Sequence, residues 1–298
     1  MEIDEIKEKY IESGKIAAKV RNFGLKLIKP GVKLVEIAEA IESEIINNGA
    51  LPAFPVNISL NSIAAHYTPS LDDKTIISEN DYVKLDIGVH VDGYIADTAV
   101  TIKPSGKDKL IECVEKILEE SIKIIKPGVL ISEIGNIAES IAEKYGYNIV
   151  RNLTGHCLER YNLHTGFTIP NIRNNSTHVF ETGKAYAIEP FCTSGKGYIK
   201  DSSELLIFCW KKNTATRLYE ARKILELSKE KYKGLPFAKR WLEKDLKINK
   251  FLIETSLRQL ISSGALHPYY VLKEISNSSV VQAEHTVFVE EKPIIITL

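Results

Sequence analysis

Cysteine is scarce and unpaired in this chain: Cys113, Cys157, Cys192 and Cys209 are scattered, and no two share a C-x-x-C spacing. That argues against a disulfide frame and against a thiolate zinc site, and reads as reduced thiols. An excess of either charge sign is also missing, with 39 basic and 39 acidic residues and a formal net charge of zero. Dedicated nucleic-acid or membrane-surface binders usually carry a large basic surplus, so the balance speaks against both classes. No apolar run approaches the roughly 18 residues of a membrane span. The opening "MEIDEIKEKY" is too charged for a secretory signal. The expectation is a cytoplasmic protein. With 298 residues, 44% hydrophobic and 26% charged, the chain is long enough for one large core or two domains.

What is present is a set of acids where acids are least expected. "KLDIGVHVDGYIADTAV" (84–100) has the apolar runs and Asp-Gly turn signal of a β-hairpin, yet carries Asp86 and Asp97 inside those runs. A two-residue loop at Asp92-Gly93 pairs Asp86 with Ala99 and Gly88 with Asp97, which makes the aspartates diagonal neighbours on one face. A loop shifted by one residue sets them directly opposite. Two carboxylates about 4 Å apart repel by roughly 4 kcal/mol at an effective dielectric near 20. Lys84 has the right parity but lies at the mouth of the hairpin, so the repulsion requires a shared proton or a cation.

The chain also repeats itself. "KLIKPGVKLVEIAEAIES" (26–43) and "KIIKPGVLISEIGNIAES" (123–140) share ten of eighteen positions at an offset of 97. Each copy reads as helix, Pro-Gly break and helix, with Ile3, Ile6, Tyr10, Ala17, Val20 and Leu27 forming the apolar stripe of the first helix. Downstream, "DYVKLDIG" resembles "KAYAIEPF", and "GYIAD" resembles "GYIKD", so Glu189 is the counterpart of Asp86. Two related halves of helices followed by antiparallel strands would bring their acids together at the interface, a common place for a binding site. Residues 214–262 break the pattern. They read as helices with Leu218, Ala221, Leu225, Ser228 and Tyr232 on one stripe, and they hold 12 basic against 6 acidic residues. Strands resume at "SSVVQAEHTVFVEEKPIIITL", interrupted by Glu284.

Asp86, Asp97, Glu189 and Glu284, together with His156 behind Gly155, make an oxygen-rich set with one nitrogen. Two divalent cations balance four carboxylates, and the donor types suit Mn, Fe or Co better than a structural zinc. Such a pair would lower the pKa of a water for attack on a carbonyl or phosphoryl group. Asp201, the repeat mate of Asp97, is set aside because "KDSSE" reads as an exposed strand end. Cys157 beside His156 reads as a nucleophile or, more simply, a buried filler. His90, His178 and His267 read as solvated loop residues and His285 as a packed one. His66 and His164 follow apolar stretches and are candidates to position a substrate and stabilise an oxyanion.

Taken together, "FPVNISLNSIAAHYTP", "KLDIGVHVDGYIADTAV", "NLTGHCLERYNLHTG", "AIEPF" and "QAEHTVFV" resemble, in this order, the type 2 methionine aminopeptidases of archaeal kind. The resemblance covers nearly the whole chain. It implies an α+β pita-bread fold of two pseudo-symmetric halves with antiparallel sheet and flanking helices. The catalytic domain would comprise 1–205 and 270–298, and 206–269 would form a helical, winged-helix-like insertion. It further implies that Asp86, Asp97, His156, Glu189 and Glu284 hold two divalent ions (Co, Mn, Fe, Ni or Zn), with Asp97 and Glu284 bridging. Glu189 would exchange a proton with the attacking water. His66 and His164 would contact the substrate, and Phe54, Leu163 and Tyr269 would line the methionine pocket. The implied activity is removal of the initiator methionine from nascent proteins by a monomer, with a possible ribosome contact through Lys239, Arg240 and Lys244. Two rivals share the fold: an X-Pro aminopeptidase or prolidase, and a non-catalytic protein that binds ribosomes or RNA.

Overall fold

The computed structural model describes residues 3 to 298, with side chains from Asp4 onward, so the side chain expected at Ile3 lies outside the described residues. The architecture is α+β, and its order follows the repeat. Helices α1 (Ile3–Leu27) and α2 (Leu34–Asn47) precede the first set of strands, and α3 (Lys109–Ile124) and α4 (Ser132–Tyr145) precede the second. Each helix pair packs on its own sheet because its apolar positions recur at helical spacing. Ile37, Ile41 and Ile45 of α2 join one buried cluster with the first hairpin. Val114, Ile117 and Ile134 of α3 and α4 join a second cluster with the later strands.

The symmetry of the halves extends to single hydrogen bonds. Gly31 N donates to Ile77 O at 2.8 Å, and Gly128 N donates to Phe180 O at 2.9 Å. Leu34 N donates to Thr75 O, and Ile131 N donates to His178 O. The donors are related by the offset of 97 seen in the helices. The acceptors are related by 103, the offset that relates Asp86 to Glu189. The sequence likeness that looked weak past the helices therefore reflects a real structural equivalence, displaced by six residues of insertion.

The hairpin of Val83–Val91 with Tyr94–Ile102 turns at Asp92 and Gly93, both with positive φ (51° and 90°), as a type I′ turn requires. Its register pairs Asp86 with Ala99 and Gly88 with Asp97, so the aspartates are diagonal neighbours and the shifted alternative is not adopted. The second half forms a five-stranded sheet in which Ala185–Ile188 lies between Thr154–Glu159 and His285–Phe288. A single antiparallel bridge, Ala99 with Glu284, joins the two sheets beside the acids. Thr286 tightens that seam: its Oγ1 accepts from Asp97 N and donates to Asp97 O, both at 2.8 Å.

The long strand Ile199–Trp210 pairs antiparallel with Leu266–Glu274. Between them lie helices α5 (Tyr219–Glu230), α6 (Lys239–Leu246) and α7 (Lys250–Ser262). These helices bury Ala221, Ile224, Leu242, Ile253 and Leu257 in a cluster of their own. Among the described residues no helix is long and apolar enough to cross a membrane.

Candidate metal centre

The seam between the two sheets opens into a cavity of about 440 Å³. Every residue nominated for the site lines it: Asp86, Asp97, His156, Glu189 and Glu284, then His66 and His164, then Phe54, Leu163 and Tyr269. The ten come from seven separate stretches of chain, and the sheet registers bring them together. One ligand atom from each of Asp97, His156 and Glu284 falls within a span of 4.8 Å. His156 Nε2 stands 3.1 Å from Glu189 Oε1 and 3.8 Å from Asp97 Oδ2. Gly155 is needed beside it, because a Cβ there would run into the carbonyl oxygen of Ala187 on the paired strand.

The polar atoms of this cluster are conspicuously unsatisfied. Asp86 Oδ1, Asp97 Oδ1, Glu284 Oε1 and His156 Nδ1 are all shielded from water and have no hydrogen-bond partner. Ionised carboxylates only accept, so neighbouring acids cannot satisfy each other. Burial, followed by the charge of Glu189, pushes the Asp86 carboxyl up to about 8. Burial, followed by repulsion from Asp86, holds Asp97 well above the usual carboxylate range. Burial, then Asp97, does the same to Glu284. Burial opposes a charge on His156, but the hydrogen bond and charge of Glu189 outweigh it and raise the imidazole. Lys84 does not relieve this strain. It lies at the hairpin mouth, paired with Thr101, but is fully buried there, and its ammonium donates to the carbonyls of Asn61 and Val280 instead. Four carboxyl groups with no lysine or arginine paired to them, plus one imidazole and no sulfur, fit divalent cations.

The histidines at the mouth are positioned differently. His66 has a left-handed backbone (φ 63°), uncommon for a residue with a side chain and frequent at functional sites. Its Nδ1 donates to Tyr270 O at 3.1 Å, which leaves Nε2 as an acceptor in the neutral ring. Crowding by protein pushes that imidazole down to about 4, so it is neutral at neutral pH. Tyr269 lies edge-on to His66, with centroids 5.2 Å apart, and the His164 ring lies 4.4 Å from that of His156.

Several readings need correction or refinement. His90 is not a loop residue: it is buried in the first hairpin, and its Nδ1 accepts from Gly93 N. His267 belongs to the strand Leu266–Glu274 and lines the cavity mouth. Its apolar neighbours on that strand were the available signal. His178 is exposed and stacks on Phe167. Asp201 is exposed and does not line the cavity. Cys157 turns away to the carbonyl of Phe167, and burial pushes its thiol up, as expected of a filler. Asn57 and Lys211 also line the cavity and were not anticipated.

Comparison with known proteins now decides the lineage. The model of metallopeptidase family M24 matches residues 8–291. The chain belongs to this family. Within M24 it groups with the methionine aminopeptidases of type 2 kind: it is 48% identical over 292 residues to the methionine aminopeptidase of Pyrococcus abyssi, covering 97% of this chain and 98% of that one. The methionine aminopeptidase of Thermotoga maritima superposes with a TM-score of 0.71 at 21% identity, covering 99% of this chain and 96% of that one. A thermophilic Arx1 gives a TM-score of 0.84 at 19% identity, with 98% of this chain and 90% of that one covered. At these identities the two structures establish the shared pita-bread fold of M24 and nothing finer.

The packing at this M24 site yields an expectation for Gly88. A Cβ at this position, opposite Asp97, would run into the ring of Phe54. Gly88→Ala must displace Phe54 from the cavity wall, with an overpacking cost of about 1–3 kcal/mol. A rise in KM for methionyl peptides larger than any fall in kcat is the expected kinetic result. Unchanged KM would show that Phe54 is not part of the substrate pocket.

Proposed function

We propose that this chain is a methionyl aminopeptidase that removes the N-terminal initiator methionine from peptides and nascent proteins, using two divalent metal ions. The observation that carries the reading is the convergence of four carboxylates and His156, with orphaned oxygens on Asp86, Asp97 and Glu284, beside an apolar wall formed by Phe54 and Leu163. Asp86, Asp97, His156, Glu189 and Glu284 would hold the ions, with Asp97 and Glu284 shared between them. When bound, the ions supply positive charge that lets the acids ionise together, acidifies a water and polarises the scissile carbonyl.

The chain's own residues then divide the remaining work. Glu189 accepts the proton of the attacking water on its carboxylate and returns it to the leaving amine. His66, held through Nδ1 by Tyr270 O, offers Nε2 as an acceptor to the peptide N–H after the scissile bond. His164 steadies the substrate carbonyl as charge develops on it. Phe54, Leu163 and Tyr269 enclose the unbranched thioether, and the limited volume beside it favours a small second residue.

The measurement that decides the activity is hydrolysis of Met-Gly-Met against an X-Pro peptide in one Co or Mn buffer. Methionyl cleavage is expected to dominate, and faster X-Pro cleavage would assign the chain to the prolidase branch of the fold. No activity on either peptide with metal bound would favour the non-catalytic rival.

A cytoplasmic monomer acting on emerging chains fits this role. Residues 206–269 are proposed as an insertion subdomain carried on a catalytic domain of 1–205 and 270–298. Of the residues first nominated for a ribosome contact through that insertion, Arg240 is enclosed and the two lysines are already ion-paired, Lys239 with Glu254 at 3.0 Å and Lys244 with Glu39 at 2.6 Å. Lys212, Arg217 and Arg222 are exposed and take their place in the proposal. Unchanged ribosome co-sedimentation after neutralising these three would remove it.

A further inference from the structure

We propose that Asn57, beside the metal ligand Asp86, binds the free α-amino group of the substrate. This deepens the aminopeptidase reading above and rests on it. Asn57 begins the strand Asn57–Leu60 and stands in register with Asp86 on the strand Val83–Val91. Directly opposed residues of an antiparallel pair share a face, with Cβ atoms about 4.5–5.5 Å apart. Both line the cavity, and Asn57 is only 5% exposed. Its Nδ2 donates to Pro55 O at 3.0 Å, which fixes the orientation of the amide. The other end, Oδ1, is left buried with no partner, and so is Asp86 Oδ1.

Both orphan atoms are acceptors, so neither can satisfy the other, and a buried acceptor left unpaired is unfavourable. Asp86 is met by the cations, whereas Asn57 Oδ1 requires a donor. A methionine side chain cannot supply one, because its thioether carries no polar hydrogen. The α-amino group can: it offers several N–H donors and, when protonated, a positive charge that suits an amide oxygen. A formylated or acetylated N-terminus keeps a single N–H and no charge. Asn57 would therefore select unblocked chains as well as orient the first peptide bond.

The test compares wild type, Asn57→Ala and Asn57→Leu, each loaded with Mn(II). Asn57→Leu removes the acceptor while roughly keeping side-chain volume. On each preparation, calorimetry gives the affinity for L-methionine and for its des-amino analogue, 4-(methylthio)butanoate. The ratio of the two is internal to each sample, so a fraction of unfolded protein does not alter it. Loss of a hydrogen bond to a charged group is expected to lower that ratio by about tenfold or more in either variant. KM for Met-Gly-Met should rise more than kcat falls, as expected when ground-state binding is lost. A ratio equal to that of wild type in a folded variant overturns the proposal. So does an unchanged ratio accompanied by weakened Mn(II) affinity, which would make Asn57 a neighbour of the metals instead. Failure of the aminopeptidase reading shows separately, as wild-type protein that does not cleave Met-Gly-Met.

Discussion

Asp97→Asn is expected to abolish peptide hydrolysis while leaving the fold intact. Asp97 is the acid with most to lose. Its Oδ2 stands 3.8 Å from His156 Nε2, its Oδ1 has no partner, and its carboxylate shares a 4.8 Å cluster with His156 and Glu284. An amide has the same shape but only one oxygen and no charge, so it cannot be shared between two cations. Loss of residues that merely orient a metal ligand typically costs 10- to 100-fold in activity or metal affinity. Loss of a shared ligand should exceed about a hundredfold. The backbone of Asp97 is held by Thr286, so the thermal midpoint of the metal-free protein should not fall. It could rise, because the variant removes one of several buried and mutually repelling acids. Full turnover by Asp97→Asn in chelator-cleaned buffer with metal restored would refute its role as a bridging ligand.

The second large effect concerns stability. Arg240→Ala is expected to cost about 3–5 kcal/mol, the usual penalty for removing one partner of a buried ion pair. Arg240 enters from α6 and is fully enclosed. It donates to Glu42 of α2, to Thr68 Oγ1 and to Pro69 O. Glu42 also accepts from Trp241 Nε1 at 2.9 Å and Val56 N at 3.2 Å, and Thr68 Oγ1 donates to Val56 O at 2.8 Å. The network ties the inserted helices to the two segments that carry Phe54, Asn57 and His66. Without the guanidinium, Glu42 is left buried and uncompensated. Denaturant titration should show the loss as a lower midpoint with an unchanged slope. Arg240→Lys should recover part of it, since lysine keeps the charge but not the planar fork. A loss below about 1 kcal/mol would mean that the network contributes little to holding the insertion in place.

These two residues also show what could and could not be read from the chain. Asp97 was legible because a carboxylate in an apolar strand violates local expectation, and the Asp92-Gly93 turn signal narrowed its register to two, of which the diagonal one is adopted. The helical repeat was legible because it survives as identities, and it located Glu189 by analogy. Arg240 was misread as part of a solvated basic face. Its burial depends on Glu42, Thr68 and Val56, which lie far away in sequence and in another element. No local pattern marks an arginine whose partners are long-range. Lys84 was placed correctly at the hairpin mouth, but its burial was not legible for the same reason, since one of its acceptors, Val280 O, arrives from the last strands. His90 and His267 were taken for loop residues because polar side chains beside turns usually are. Strand pairing overrode that preference in both. Asn57 was missed although its position opposite Asp86 follows from strand parity. A polar residue between Val56 and Ile58 looks ordinary until its partner strand is known.

Anomalous diffraction from a crystal soaked in manganese tests the central claim most directly. Two peaks are expected in the seam between the sheets, each within coordination distance of oxygens from Asp86, Asp97, Glu189 and Glu284 or of His156 Nε2. No peak there, a single ion that leaves Asp86 or Glu189 without a metal contact, or the five side chains pointing apart would contradict the dinuclear centre.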